Sequence, residues 1–308
     1  MSIQGLVHIK KAISNLNPDQ VRLASNRTLR IGIRAATPDR YREIQNFLLA
    51  DLKPGRRQES ATYLSEELLT AAAPSDITIY DEAVVAPPRS LIYRRERPDV
   101  LVRRALDLHP DLGVVLARSF PPFRRPFIER VISRTCKENT LFSLTTALPD
   151  VIPNIIELPW AVAEFASDAA FLTMNQLKMA FLIAAASDRE VGYREQKSEV
   201  ATVIASAFGW RAIARELVGK IPFGGGLIGK AAISYAGTKV VGLSLERLYS
   251  VGYTYTREDR NELYRDAYQQ GKKAATRLIS QLRPDLAARY TGSGSAPRGA
   301  AGYPPGAD

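Results

Sequence analysis

The chain has 308 residues, 45% of them hydrophobic, and a formal net charge of +10. That suffices for one large or two ordinary domains with a buried core and excludes global disorder, while the positive balance points to an acidic partner: anionic lipid, nucleic acid or an acidic protein. The one cysteine, Cys136, rules out an internal disulfide and fits a reducing compartment, and the first twenty residues hold no apolar stretch of signal-peptide type.

In chain order, the first segment reads as two short helices. The second opens with Asn17 as N-cap, Pro18 at the first helical position and Gln20 at the third. Thr28 to Arg34 reads as a strand. Thr37-Pro38 opens a helix through Leu52, with Tyr41, Ile44, Phe47 and Leu48 on one face. A helix is expected over Ser60 to Ala72, a buried strand over Asp76 to Tyr80, a helix over Asp99 to Leu108 and a strand over Leu112 to Ala117. A further helix over Phe127 to Lys137 and a strand over Thr140 to Leu144 follow. Strands alternating with helices predict a small α/β domain over residues 1–145 with a mostly parallel sheet.

After Pro149 helical periodicity takes over and predicts an all-α module over residues 146–288. Its helices are expected at Pro159–Ser187, Arg194–Phe208, Trp210–Gly219, Gly225–Tyr249 and Arg257–Leu282, the last opened by a Thr256/Asp259 capping box. Residues 289–308, rich in Gly, Pro, Ser and Ala, are expected to be a disordered tail. Two stretches approach the length of a membrane span: Ala169 to Ser187, interrupted by Lys178, and Ile221 to Leu245, interrupted by Lys230 and Lys239. Each interior Lys costs about 2.5–3.5 kcal/mol near the bilayer centre. Insertion, peripheral attachment and a soluble bundle all stay open.

The α/β half lacks the chemistry of a phosphate loop, which needs glycines to bring backbone N–H groups onto phosphate, a Lys, and a Ser/Thr for magnesium. RIGIR is followed by Ala35-Ala36-Thr37-Pro38-Asp39-Arg40, DITIY by Asp81-Glu82-Ala83-Val84, and GVVLA by Arg118-Ser119-Phe120-Pro121. None supplies the phosphate, magnesium or guanine contacts of a GTPase. The layout is that of a GTPase-like domain that no longer binds nucleotide, or of an unrelated small α/β domain. Gly224 to Ala231 matches G-x-x-x-x-G-K but ends in Ala and does not follow a core strand. Gly225/Gly229 and Ala232/Ala236 read instead as small-residue pairs for close helix packing.

Polar residues recur along the apolar helices: Glu157, Glu164, Asp168, Asn175 and Lys178, with Gln176 beside them and Arg211 and Arg215 one turn apart on another helix. They form either a polar seam holding the bundle together or an ordinary solvated face. Neither histidine, His8 or His109, has Cys or carboxylates at metal-ligand spacing, so no metal or other cofactor is expected. Cys136 lies near Arg134 and Lys137, which would favour a thiolate, although a plain structural cysteine is the simpler reading. No nucleophile–base pair is evident, and enzymatic activity is not expected.

Between Arg89 and Glu138 twelve basic residues outnumber six acidic ones, with Tyr93, Phe120, Phe123 and Phe127 interleaved. Arg94, Arg95, Arg103, Arg104, Arg124 and Arg125 are the candidates for binding an anionic lipid surface; the bland alternative is a solvated basic face.

The run from Thr146 to Gly252, ALPDVIPN, MNQLKMAFLIAAA and AFGWRAIARELVGKIPFGGGLIGKAAISYAGTKVVG, resembles the bacterial domain of unknown function found in YcjF-type membrane proteins and at the carboxyl end of some Era-like GTPases. The resemblance covers about a third of the chain. It implies a helical module on or in the cytoplasmic face of the cell membrane, often paired with a GTPase domain. The sequence therefore predicts a non-catalytic, membrane-associated scaffold or regulator. The alternatives are a nucleotide hydrolase with an unrecognised site and a soluble nucleic-acid-binding protein. The expected partner is an anionic membrane surface or bilayer, with a protein partner or self-association next; nucleic acid and nucleotide are not expected.

Overall fold

The computed structural model describes residues 16–67, 75–146, 168–203 and 226–282. Helix α1 (Pro18–Ser25) starts where the sequence places it: the Asn17 side chain accepts the Asp19 N–H at 2.8 Å and Pro18 fills the first turn. Strand β1 (Ile31–Arg34) leads to α2 (Pro38–Leu48), capped by Thr37, whose hydroxyl accepts the Arg40 N–H at 3.3 Å. Then come α3 (Pro54–Ala61), β2 (Leu64–Glu66), β3 (Ile77–Asp81), β4 (Leu91–Tyr93) and α4 (Pro98–Leu108). After a 3-10 turn (Pro110–Leu112) follow α5 (Gly113–Ser119), α6 (Pro121–Thr145), α7 (Asp168–Ala186), α8 (Leu227–Val251) and α9 (Arg257–Leu282), and residues 197–203 are also helical.

The four strands form one parallel sheet in the order β2-β1-β3-β4. Register puts Ile31, Ile33, Leu64, Ile77, Ile79, Leu91 and Tyr93 on one face, all buried in the core. The other face carries Gly32, Arg34, Ser65, Thr78, Tyr80 and Ile92. The Glu67 carboxylate lies over Gly32, held by Arg34 at 3.0 Å and by Ser75 and Thr78.

An α/β domain followed by a helical bundle is what the sequence predicts, but several elements differ. In place of a helix over Ser60–Ala72 stand α3, which starts earlier at Pro54 and ends at Ala61, and the edge strand β2; residues 68–74 lie outside the described set. Three residues of β2 are too few to show a periodicity. Leu112–Ala117 is no strand: Gly113 to Ala117 belong to α5, whose residues are buried almost all round, so the continuous apolar run marks a buried helix. Thr140–Leu144 forms the last turns of α6. The Thr256/Asp259 capping box is present, with bonds of 3.2 and 3.3 Å. The predicted helix Trp210–Gly219 and the predicted tail fall outside the described residues.

One core runs through the sheet and the bundle. Ile33 and Ile79 join Leu101 and Ala105 of α4, Leu116 of α5, Phe123 and Ile132 of α6, Leu177 and Ile183 of α7, and Leu245 of α8. Helix α6, inside the first predicted domain, packs on α7, α8 and α9. Helices α8 and α9 meet backbone to backbone: a Cβ on Gly271 would stand 2.8 Å from the Ala232 carbonyl oxygen. Where α8 crosses α6, a Cβ on Gly242 would stand 2.7 Å from Ile132. Among the described residues no helix is long and apolar enough to cross a membrane. In α7, Met179, Phe181 and Ile183 are fully covered by protein, Leu172 and Leu182 are half-buried, and Lys178 is exposed.

Candidate functional site

In an open parallel sheet, ligands bind beyond the carboxyl ends of the strands, where neighbouring connections diverge to opposite sides. Here that point lies between β1 and β3: the chain leaves β1 for β2 on one side and β3 for β4 on the other. Asp81, the last residue of β3, is completely buried there. Its carboxylate receives Arg40 from the first turn of α2, with Nη2 to Oδ1 at 2.6 Å and Nε to the two oxygens at 3.1 and 3.2 Å. It also accepts the backbone N–H groups of Ala36 at 3.3 Å and Ala83 at 3.5 Å. Burial acts to raise the Asp81 carboxyl, but the Arg40 guanidinium and the two amides outweigh it and hold the group below the usual carboxylate range.

Arg40 is correspondingly held above its ordinary value, chiefly by its bond to Asp81. It also reaches Glu43 at 2.9 Å and Glu82 at 3.1 Å, and Glu43 in turn takes Arg95 and the Tyr93 hydroxyl, each at 3.4 Å. The crevice is therefore filled by the protein's own ion pair. The Ala36 amide, which a phosphate loop would aim at its ligand, is spent on Asp81. Thr37 and Pro38 satisfy or remove N–H groups at the start of α2, and Asp39 and Glu82 add negative charge. The residues tested for guanine recognition, Arg118 to Pro121, join α5 to α6 and stand at no strand end.

The sequence reading missed Arg40. A cation in the first turn of a helix opposes the helix dipole, and that mismatch is the signal that it has a dedicated acidic partner.

The apolar helices do carry a polar seam, differently composed. Asn175 and Gln176 are buried on α7. Asn175 Nδ2 donates to Asn139 Oδ1 of α6 at 2.9 Å, and Asn139 Nδ2 donates to Thr238 Oγ1 of α8 at 2.9 Å. Gln176 Nε2 also donates to Thr238 Oγ1, at 3.2 Å, and Ser234 Oγ donates to the Asn139 carbonyl at 3.1 Å. The network fixes three helices at one level. Lys178 is exposed, and Asp168 is the first described residue of α7. Arg211, Arg215, Gly225, Glu157 and Glu164 lie outside the described residues. Gly229 is buried near Tyr268 with room for a methyl group, and Lys230 is exposed. Asn139 stands in the polar run Lys137-Glu138-Asn139-Thr140 and Ser234 and Thr238 in a largely apolar helix, and nothing in the local sequence marks that they meet.

Cys136 is buried, with Sγ donating to the Tyr235 carbonyl at 3.6 Å. Burial pushes its thiol up to about 12 against the opposing pull of Lys239, so the thiolate reading fails.

The basic segment separates into paired and free cations. Arg95, Arg103, Arg125, Arg130 and Arg134 pair with Glu43, Asp99, Glu129, Asp107 and Glu138. Arg124 is no surface group: its Nε donates to the Ala186 carbonyl at 2.9 Å, and burial lowers its pKa. With Arg56 and Arg118, both on Asp188, it clamps the carboxyl end of α7 to α3 and α5. Arg89, Arg94, Arg97, Arg104 and Lys137 are exposed without an ion-pair partner among the described residues. Tyr93, Phe120 and Phe123 turn into the core and Phe127 is half-buried, so the expected exposed aromatics beside the arginines are absent from that surface.

Among the described residues no group of His, Cys, Asp and Glu could hold a metal ion. No protein-family model, curated protein or solved structure matches the chain.

Proposed function

We propose that the chain is a non-catalytic scaffold or regulatory protein that binds peripherally to an anionic membrane surface, on the cytoplasmic side. The Arg40–Asp81 pair carries the non-catalytic half of this reading: the place where a doubly wound sheet would hold a nucleotide is occupied by an ion pair whose carboxylate is fully buried and whose hydrogen bonds use up the nearby donors. The membrane half is supported by Arg89, Arg94, Arg97, Arg104 and Lys137, exposed and without an ion-pair partner among the described residues, and by the resemblance of Thr146–Gly252 to a membrane-associated module. With the interleaved aromatics turned inward, attachment is electrostatic, at about 1 kcal/mol per Arg near the headgroups.

Fractionation of cells expressing the full chain tests the membrane half. A high-salt wash is expected to release it from membranes. Retention through both salt and alkaline carbonate would mean embedded helices, and recovery wholly in the soluble fraction would sink the membrane reading. In vesicle flotation, Arg94→Glu with Arg104→Glu should weaken binding to anionic vesicles by at least about tenfold. Tighter binding to duplex or single strands than to vesicles would point to nucleic acid instead.

A further inference from the structure

A cleft of about 300 Å³ opens between the helical residues 197–203, the middle of α8 and the start of α9. Its floor is aliphatic, made by Val240, Val241, Leu245 and Leu248 of α8. Two opposite charges line it: Glu199 from the short helix and Arg260 from the first turn of α9. They form no ion pair with each other, and neither has a counter-ion among the described residues. Glu199 accepts hydrogen bonds from the Ser198 hydroxyl, at 2.7 Å, and from the Tyr249 hydroxyl, but these neutral donors leave its charge without a cation among the described residues. In the wall stands Ser244, whose hydroxyl is buried without a hydrogen-bond partner in the described structure. The volume is at the lower end of the range for ligand sites, about 300–1,000 Å³, so a ligand here is small.

We infer that this cleft binds a small zwitterion with a branched apolar body, of the class of the aliphatic α-amino acids. The carboxylate of such a molecule pairs with Arg260, where a guanidinium offers a planar two-pronged donor. Its ammonium pairs with Glu199, and its side chain lies on the valine and leucine floor. Each charge in the cleft then gains a counter-ion, which the described residues do not supply. A simple anion would leave Glu199 opposing it, and a simple amine would face Arg260. The site shares no lining residue with the crevice between β1 and β3 and uses none of the residues proposed for the membrane surface.

Calorimetry and thermal melting of the full chain with L-leucine, L-isoleucine and L-valine test this directly. The expected result is saturable binding, with a rise in melting temperature of several degrees once the ligand is at about 100 times its dissociation constant. Isocaproate, which lacks the ammonium, and isoamylamine, which lacks the carboxylate, should each bind at least about tenfold more weakly. Arg260→Gln and Glu199→Gln should weaken leucine binding to a similar degree, with unchanged circular dichroism showing that both variants fold. Methyl NMR provides a readout independent of those variants: leucine should shift Val240, Val241, Leu245 and Leu248 while leaving Ile31 and Ile33 in place. No saturable binding of any of the three amino acids at about 10 mM would overturn the inference. So would variants that bind leucine as the native chain does, or methyl shifts located elsewhere.

Discussion

Asp81 has no exposed surface, and its charge is met by one arginine and two backbone amides. Removing Arg40 strands a buried carboxylate, so Arg40→Leu should cost about 3–5 kcal/mol in urea unfolding. Replacing both residues by apolar ones should cost less than the sum of the two single changes, because the pair is coupled. Asp81 also sets a dependence on pH. A carboxylate held low in the folded state stabilises the fold fully above its unfolded pKa, about 3.9, and ceases to do so as pH falls through its lower folded value. The urea midpoint of the native chain should therefore fall with pH below about 4, and Asp81→Asn should lose less over that window. The glycines make a matched pair of tests. Gly271 touches the backbone of α8, so Gly271→Leu should cost at least about 1–3 kcal/mol. Gly229 has room for a methyl, so Gly229→Ala should be neutral or gain up to about 1 kcal/mol. What the sequence shows at this scale is the local chemistry, such as the Asn17, Thr37 and Thr256 caps. The pairing of Arg40 with Asp81 spans 41 positions and is invisible to a local window.

Among the elements, α6, α7 and α8 are joined by side-chain amides and a hydroxyl in an otherwise apolar interior. Thr238 accepts from both Asn139 and Gln176, so Thr238→Val leaves two buried donors without a partner. That should lower stability by about 1–3 kcal/mol per orphaned group, measured by thermal melting, with Thr238→Ser largely restoring it. Long amphipathic or capped helices are legible: α2, α4 and α9 fall close to their expected positions. The errors cluster in short apolar runs. Leu112–Ala117 and Thr140–Leu144 contain β-branched residues and read as strands, yet both are helical and buried at every position but Leu141, which is half-buried. Strands β2 and β4, three residues each, become strands only through their neighbours in the sheet.

For the whole molecule, the continuous core decides what can be separated. Ile132 and Cys136 of α6 are buried in the same cluster as Leu177 of α7 and Leu245 of α8. A fragment ending at Thr145 would expose that face, and it should show no cooperative thermal transition while the full chain melts in one. Nucleotides at about 1 mM should produce no saturable shift in melting temperature, and Lys230→Ala should change nothing in that experiment. A clear shift would overturn the closed-crevice reading. The general plan, a small parallel sheet ahead of a helical bundle, is legible from the alternation of strand and helix signals. The shared core is not, because it depends on α6 serving both halves at once.

Cys136 gives the chain a built-in stopwatch. It is the sole cysteine, it is buried between α6 and α8, and its proton is held tightly. It borders a pocket of about 330 Å³ yet has no exposed surface of its own, so a thiol reagent reaches it when the contact between those two helices loosens. The rate of its alkylation in the native protein, set against the rate in urea, measures how often the bundle breathes open. Any membrane surface or small ligand that tightens the bundle should lengthen that interval without any label being engineered into the protein.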